Sequence, residues 1–284
     1  MKKLPLFLTV LIIIAISCDK IDTSKEVFEI IVPVEVTPWD PEYAKTVVQK
    51  IYIEEFTGHN CTICPEGARM LKKLMDEDTT IIATAIHCSN LANPGKAPFD
   101  KDFKTKVGDV IFDDFKISGL PKAMINRMGN GKNGWDFDRS DWRKEVAKID
   151  RSNIRAGIEL QCNVDETKQE IEANVSVTII KELKNPVQLC LVLQQDSIIS
   201  GQIDKNKVIP DYVHNHVLRA GFNGNYGIKF TPSGIVKAEN KYTATFKISY
   251  GNLAIPVVIK NCSVVAYLMD METKEVLQVE CIEL

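Results

Sequence analysis

Apolar and polar positions follow two different rhythms along this chain. Over 80–87 apolar residues run together, as in a central strand covered on both faces, and over 47–56 Ile51, Ile53 and Phe56 mark a buried strand. Between these runs Cys64, Ala68, Leu71 and Met75 recur at helical spacing, with Lys72, Lys73 and Asp76 on the remaining surface. Strand, helix, strand is the predicted order. After an Asn-, Pro- and Gly-rich loop over 89–98, Phe99, Phe103, Val107 and Val110 predict a second helix that ends before Ile117. A short strand at 123–126 and a turn at 129–133 predict a hairpin. Ser140 is placed to cap a closing helix with Trp142, Val146 and Ile149 on one face.

Beyond this point the rhythm changes to strict alternation. Ile154, Ala156, Ile158, Leu160, Cys162 and Val164, then Ile171, Ala173, Val175, Val177 and Ile179, mark half-buried antiparallel strands joined by a hairpin loop at 165–168. Further strands at 187–194, 242–250, 262–269 and 276–282 complete an all-β sandwich. The stretch 197–232 reads as a long irregular excursion, of the kind that often carries function. Upstream, 27–36 also alternates, and Pro33 makes it an edge strand before Pro38 and Pro41 break the pattern.

The first residues belong to neither region. Lys2 and Lys3 precede an apolar run over 4–16 that is too short for a membrane span and reads as a secretion signal. Its end, Ala15-Ile16-Ser17-Cys18, is similar to a bacterial lipobox, although Ala15 stands where leucine is usual. Cys18 is the expected lipidation site, which would hold a body outside the cytoplasm on the membrane through acyl chains. The expected division is a signal peptide over 1–17, a tether and edge strand over 18–41, an α/β domain over 42–152 and a β-sandwich domain over 153–284. Composition adds an exclusion: the formal charge is −3, more negative without Lys2 and Lys3, so there is no basic footprint for nucleic acid.

An extracytoplasmic compartment permits disulfides, and only Cys61 and Cys64 lie close in sequence. Cys88 follows a strand, while Cys162, Cys190, Cys262 and Cys281 lie in strand patterns whose pairing the sequence leaves open; most of them read as small buried hydrophobes. A CxxC pair alone is compatible with a redox dithiol, a zinc site or two core cysteines. Here it follows a buried strand and precedes Pro65, which suits a first helical turn. Cys61 would then face the free N–H groups of the helix, where its thiolate is favoured, and Cys64 would lie one turn inward. These are the roles of attacking and resolving thiol. Glu55, on the strand beneath, is the candidate proton relay, its pKa raised by burial, while Glu54 should point to the opposite face. The competing reading leaves both carboxylates as exposed strand-end charges.

Strand, CxxC, helix and strand, a Glu upstream of the pair, and Gly119-Leu120-Pro121 together resemble the thioredoxin fold over about 47–149. The resemblance implies a cis Pro121 packed against Cys61 and a Leu120 backbone that pairs with an extended substrate segment. Asn60 departs from the aromatic residue usual in that family, and Thr62-Ile63 from the usual Gly-Pro. More narrowly, the lipobox, Glu54-Glu55-Phe56-Thr57-Gly58 ahead of CxxCP, the β half, and Val213-His214-Asn215-His216-Val217-Leu218-Arg219 resemble the outer membrane protein 28 family of bacterial lipoproteins. That resemblance implies attachment to the outer membrane.

The expected function is thiol-disulfide exchange with thiols or disulfides of other envelope proteins, with no cofactor and no metal. His214 and His216 at alternate positions are two potential ligands without a third, and are expected to tie the excursion down together with Arg219. His59 reads as a solvated loop residue, and Cys88 as a third redox thiol or an inert buried one. Two rival readings remain: an adhesin-like surface lipoprotein with a static disulfide, and a metallochaperone that binds metal at the dithiol.

Overall fold

The computed structural model describes residues 28–131, 134–253 and 255–284. Cys18 and the expected signal and lipobox lie outside these residues.

The alternating segments form strands as their period dictates. β1 (Phe28–Thr37), β6 (Ala156–Asp165), β7 (Glu170–Ile179) and β13 (Lys241–Ser249) make an antiparallel sheet in the order β1-β13-β7-β6. β1 lies at the edge, and its pairing with β13 shifts register on either side of Pro33, which has no N–H to donate. The apolar face of this sheet packs on β8 (Val187–Gln195) and β14 (Cys262–Asp270), and the core between them includes Ile171, Val175, Phe246, Leu191 and Val264. This is a sandwich-like arrangement, as the alternation predicts.

After the short helix α1 (Pro41–Thr46), the two buried segments become β2 (Ile51–Thr57) and β3 (Ile81–His87), paired in parallel around α2 (Cys64–Glu77). β4 (Lys122–Ile125) joins β2 antiparallel and pairs in turn with β5 (Phe137–Asp138), the predicted hairpin. α2 and α4 (Trp142–Val146) cover one face with Leu71, Leu74, Trp142 and Val146. α3 (Lys106–Asp114) covers the other with Val107 and Ile111.

Two further helix expectations need adjustment. The helix expected from Phe99 begins at Lys106, where Thr105 caps it by accepting from Gly108 N–H. Residues 99–105 are not helical, and the peptide Ala97–Pro98 just before them is cis. α4 follows Asp141 with no side-chain cap, so Ser140 does not have the role its position suggested.

The expected α/β thioredoxin-like domain followed by an all-β sandwich is overturned. Fifteen strands outweigh four α-helices among the described residues, and the sheet holding β2, β3 and β4 does not close on itself. It continues through β11 (Val217–Gly221) into β8, β14 and β15 (Val276–Glu283), in the order β15-β14-β8-β11-β3-β2-β4-β5. The joint is short: Val217 pairs in parallel with Ala85, and Ala85 N–H donates to the His216 carbonyl at 2.7 Å. One apolar layer then runs over the joint, from Phe56 and Ile111 to Val192, Val265 and Val279. Strand pairing between residues far apart in sequence leaves no trace in local periodicity, so the sequence pattern could not show it.

The excursion over 197–232 is likewise not irregular. It contains β9 (Ile198–Asp204), β10 (Lys207–His214), β11 and β12 (Ile228–Lys229), and β9 and β10 form a separate two-stranded ribbon. β10 is exposed over much of its length, so its sequence carries no one-sided alternation.

Candidate active site

The CxxC segment leaves β2 through a tight loop. Cys61 N–H donates to the Gly58 carbonyl at 3.0 Å, and Asn60 N–H to the Leu91 carbonyl at 2.9 Å. A Cβ at Gly58 would come within 2.6 Å of the Leu91 oxygen, so the loop can approach that carbonyl only with glycine there. Cys64 opens α2 and Pro65 follows it, where a missing N–H costs nothing. Cys61 and Cys64 are joined in a disulfide.

Glu55 lies behind the pair. It is 2 % exposed and its Oε1 has no hydrogen-bond partner. Burial raises its pKa from 4.5 to about 8, so the carboxyl stays largely protonated near neutrality. Gly67, in the first turns of α2, is what lets it approach: a Cβ there would meet Glu55 Oε1 at 2.6 Å and Pro121 Cβ at 2.9 Å. Carboxyl and proline are thus packed on one glycine of the helix that carries Cys64. The peptide Leu120–Pro121 is cis. Leu120 and Pro121 line an open groove of about 320 Å³ with Ile63, Glu66 and Arg139.

Glu54 points to the opposite face, as expected, and meets Arg127 there. At 1 % and 2 % exposure, Glu54 and Glu55 are core groups, which excludes the reading of both as surface charges.

The sulfurs are covered. Cys61 is 3 % and Cys64 1 % exposed, while Thr62 and Ile63 between them face solvent. The β9–β10 ribbon provides the cover, and it binds the loop by its backbone. Ile203 N–H donates to the His59 carbonyl at 2.9 Å and Lys205 N–H to the Thr62 carbonyl at 2.7 Å. Gln202 Nε2 donates to the Cys61 carbonyl at 3.1 Å. Arg69 on α2 closes an ion pair with Asp204 at 2.8 Å.

Beneath the ribbon lies a cavity of about 550 Å³ that reaches Glu55 and Cys64. His87, at the end of β3, and His214, at the end of β10, are among the residues that line it, their ring centroids 5.5 Å apart. Phe103 lies between their elements, 4.8 Å from one ring and 4.9 Å from the other. Burial lowers both imidazole pKa values, that of His214 to about 4, so both rings are neutral at pH 7.

Other expectations divide. His59 is fully buried rather than solvated, with Nε2 2.9 Å from the Asn93 carbonyl oxygen, and burial lowers its pKa. His216 contacts Asp196 at 3.2 Å and Arg219 donates to the Pro256 carbonyl, so these two residues do tie down their segment. Cys88 is buried and its thiol is pushed up to about 12, which makes it inert. Cys162, Cys190, Cys262 and Cys281 are also free. Among the described residues no group of three His, Cys, Asp or Glu side chains converges as a metal site. Sequence reasoning missed His87, Gln202 and Tyr212. An imidazole that ends an otherwise apolar strand was the available signal for the first; nothing local marked the other two.

The family described as outer membrane protein Omp28 matches residues 109–283. Among solved structures, HBP35 of Porphyromonas gingivalis aligns with a TM-score of 0.64 at 16% identity, over 84% of this chain and 76% of that one, a likeness of fold alone. A domain of the outer membrane lipoprotein Omp28 from Porphyromonas gingivalis aligns at 22% identity over 46% of this chain and 89% of that one, with a TM-score of 0.31. No curated protein gives a significant match.

Proposed function

This chain belongs to the Omp28 family of outer membrane proteins, and from that premise we propose that its Cys61–Cys64 pair exchanges with thiols or disulfides of other envelope proteins. The family is described as one of outer membrane proteins, which puts the chain at that membrane; a lipid anchor is our proposal for how it is held there. Cys18 is the proposed lipidation site. Among the described residues no helix is long and apolar enough to cross a membrane.

The observation that supports exchange chemistry is the shared packing of Glu55 and Pro121 on Gly67, directly behind the helix start that carries the disulfide. A substrate thiolate attacks Cys61 Sγ, the Cys61–Cys64 bond breaks, and a mixed disulfide forms with Cys61. Cys64 leaves with the electron pair and takes a proton from the Glu55 carboxyl. A second substrate thiolate then attacks the substrate sulfur and releases Cys61. Two substrate thiols become a disulfide and the pair becomes a dithiol; the same steps in reverse reduce a substrate disulfide. Leu120 and Pro121 shape the groove in which the substrate backbone lies.

Cys61→Ser should abolish exchange, and Cys64→Ser should accumulate mixed disulfides with envelope proteins. If the purified, reduced protein fails to exchange with glutathione disulfide and with small dithiol-derived disulfides, the reading is wrong.

The burial of both sulfurs favours a second reading, in which the disulfide is a static part of an interaction protein. A Cys61→Ser/Cys64→Ser protein would then keep its envelope partners, and the pair would have a very low reduction potential.

A further inference from the structure

We infer that the β9–β10 ribbon is a hinged flap that shuts off the Cys61–Cys64 disulfide when closed, and that it lifts as one body about a neck at Ser197 and Asn215. The flap deepens the exchange reading, which supplies its use. A substrate thiolate must reach Cys61 Sγ in line with the S–S bond, yet Cys61 and Cys64 are 3 % and 1 % exposed beneath the ribbon.

β9 is seated by the edge that β10 leaves free. Successive N–H groups of a strand point to opposite edges. Gly201, Ile203 and Lys205 donate outward, to the carbonyls of Pro98, His59 and Thr62 at 2.8, 2.9 and 2.7 Å. The residues between them, Gln202 and Asp204, pair with Ile209 and Lys207 of β10 in the ribbon's own register. The bonds that hold the flap shut are therefore not the bonds that hold it together. Gly201 sets how closely it sits, since a Cβ there would come within 2.8 Å of the Pro98 oxygen.

The neck leaves the sheet undisturbed. β8 ends at Gln195 and β11 begins at Val217, and these two residues pair with each other. Asp196 N–H donates to the Asn261 carbonyl at 2.8 Å, and the His216 carbonyl accepts from Ala85 N–H, so both feet are fixed. Ser197 and His216, with left-handed φ of 58° and 56°, turn the chain out of the sheet. Across the neck Ser197 N–H donates to Asn215 Oδ1 at 2.9 Å. Rotation at this point moves the ribbon without breaking β8 or β11.

Little apolar burial opposes the lift. Among the described residues of the ribbon only Ile198, at its base, joins an apolar core cluster, with Phe103 and Val217. Farther out the underside faces the cavity of about 550 Å³, so lifting forfeits few packed contacts. Both ring nitrogens of His87 and Nε2 of His214 are buried there without a partner. Opening returns them to water, which offsets part of the cost of the broken backbone bonds. At the tip the Arg69–Asp204 ion pair is partly exposed and adds little.

Amide hydrogen exchange on the purified disulfide form at pH 7 tests the lift itself. Lifting frees the N–H groups of Gly201 and Ile203 and leaves those of Gln202 and Asp204 bonded. The first two should share one protection factor, about tenfold or more below that of the second two and about a hundredfold below that of β14, which is paired on both sides. Gly201→Ala, which cannot seat against Pro98, should raise the rate of disulfide reduction by tris(2-carboxyethyl)phosphine at least tenfold, while the β14 amides keep their protection and so report an intact sheet. In that reaction the phosphine gives two electrons to the S–S bond and takes the oxygen of a water, whose two protons end on the freed thiols, so no thiol exchange is involved. Equal protection of all four β9 amides, protection of Gly201 and Ile203 equal to that of β14, or an unchanged reduction rate in the folded variant would overturn the inference. If the variant is reduced faster but, like wild type, fails once reduced to exchange with glutathione disulfide, the flap stands and the exchange reading falls.

Discussion

Arg127 and Glu54 form a two-pronged ion pair inside the continuous sheet. Arg127 Nε donates to Glu54 Oε2 at 2.7 Å and Nη2 to Oε1 at 2.6 Å, with both side chains about 1 % exposed. Nη2 also donates to the Tyr267 hydroxyl at 2.9 Å, and the guanidinium lies 5.1 Å from the Tyr267 ring. Because Tyr267 is on β14, the pair ties β2 and the turn after β4 to the far half of the sheet.

Removing one partner leaves the other charge buried without compensation. Arg127→Ala is expected to cost about 3–5 kcal/mol of unfolding free energy, measured by urea denaturation. The double variant Glu54→Gln/Arg127→Met should recover much of that loss. An equal loss in the double variant would show that shape, not charge, sets the cost.

Glu55 should make stability depend on pH with a definite sign. Its folded pKa of about 8 lies above its ordinary 4.5, so the folded protein keeps a proton that the unfolded chain releases. The stabilisation is fully present below about 4.5 and is lost as pH rises through about 8. The slope is about 1.4 kcal/mol per pH unit while only the unfolded chain has lost the proton. His87 and His214, whose pKa values are lowered, contribute the opposite slope below their ordinary 6.5. The readout is therefore the difference between wild type and Glu55→Gln from pH 5 to 8, in which the falling component should vanish with the carboxyl.

The ribbon should control access to the disulfide. Gln202→Ala removes the donor to the Cys61 carbonyl and is expected to cost about 1 kcal/mol while the ribbon's backbone bonds remain. Reduction by dithiothreitol, followed by alkylation of the freed thiols, should become several-fold faster. An unchanged rate would mean that the sulfurs are reached without lifting β9.

Gly67 should not tolerate a methyl group. Gly67→Ala places a Cβ against both Glu55 Oε1 and Pro121 Cβ, and overpacking of this kind costs about 1–3 kcal/mol. The carboxyl is the flexible neighbour, so it should move, and the pH dependence assigned to Glu55 should shrink with it.

The sequence by itself determined what depends on neighbours along the chain. Alternation over 171–179 follows from a strand with one covered face, and β7 has that pattern of burial. Helical spacing from Cys64 to Met75 likewise belongs to α2. Cys61, Cys64 and Pro65 fixed where that helix starts, and Glu54 and Glu55 had to face opposite ways because successive strand side chains do. The helix expected from Phe99 shows the limit, since apolar spacing there serves contacts of Phe103 with His87 and His214 instead of a helix face.

Tertiary structure decided what depends on distant partners. Whether Glu55 would be a surface charge or a buried acid rested on Gly67 and Pro121 closing over it. That β2 and β3 belong to the same sheet as β8 and β14 rested on one short parallel contact between Ala85 and Val217. The cover over Cys61 came from a ribbon that sequence pattern took for irregular chain. In each case the deciding interaction joins segments far apart in sequence, and hydrophobic periodicity records only which face of a segment is covered, not what covers it.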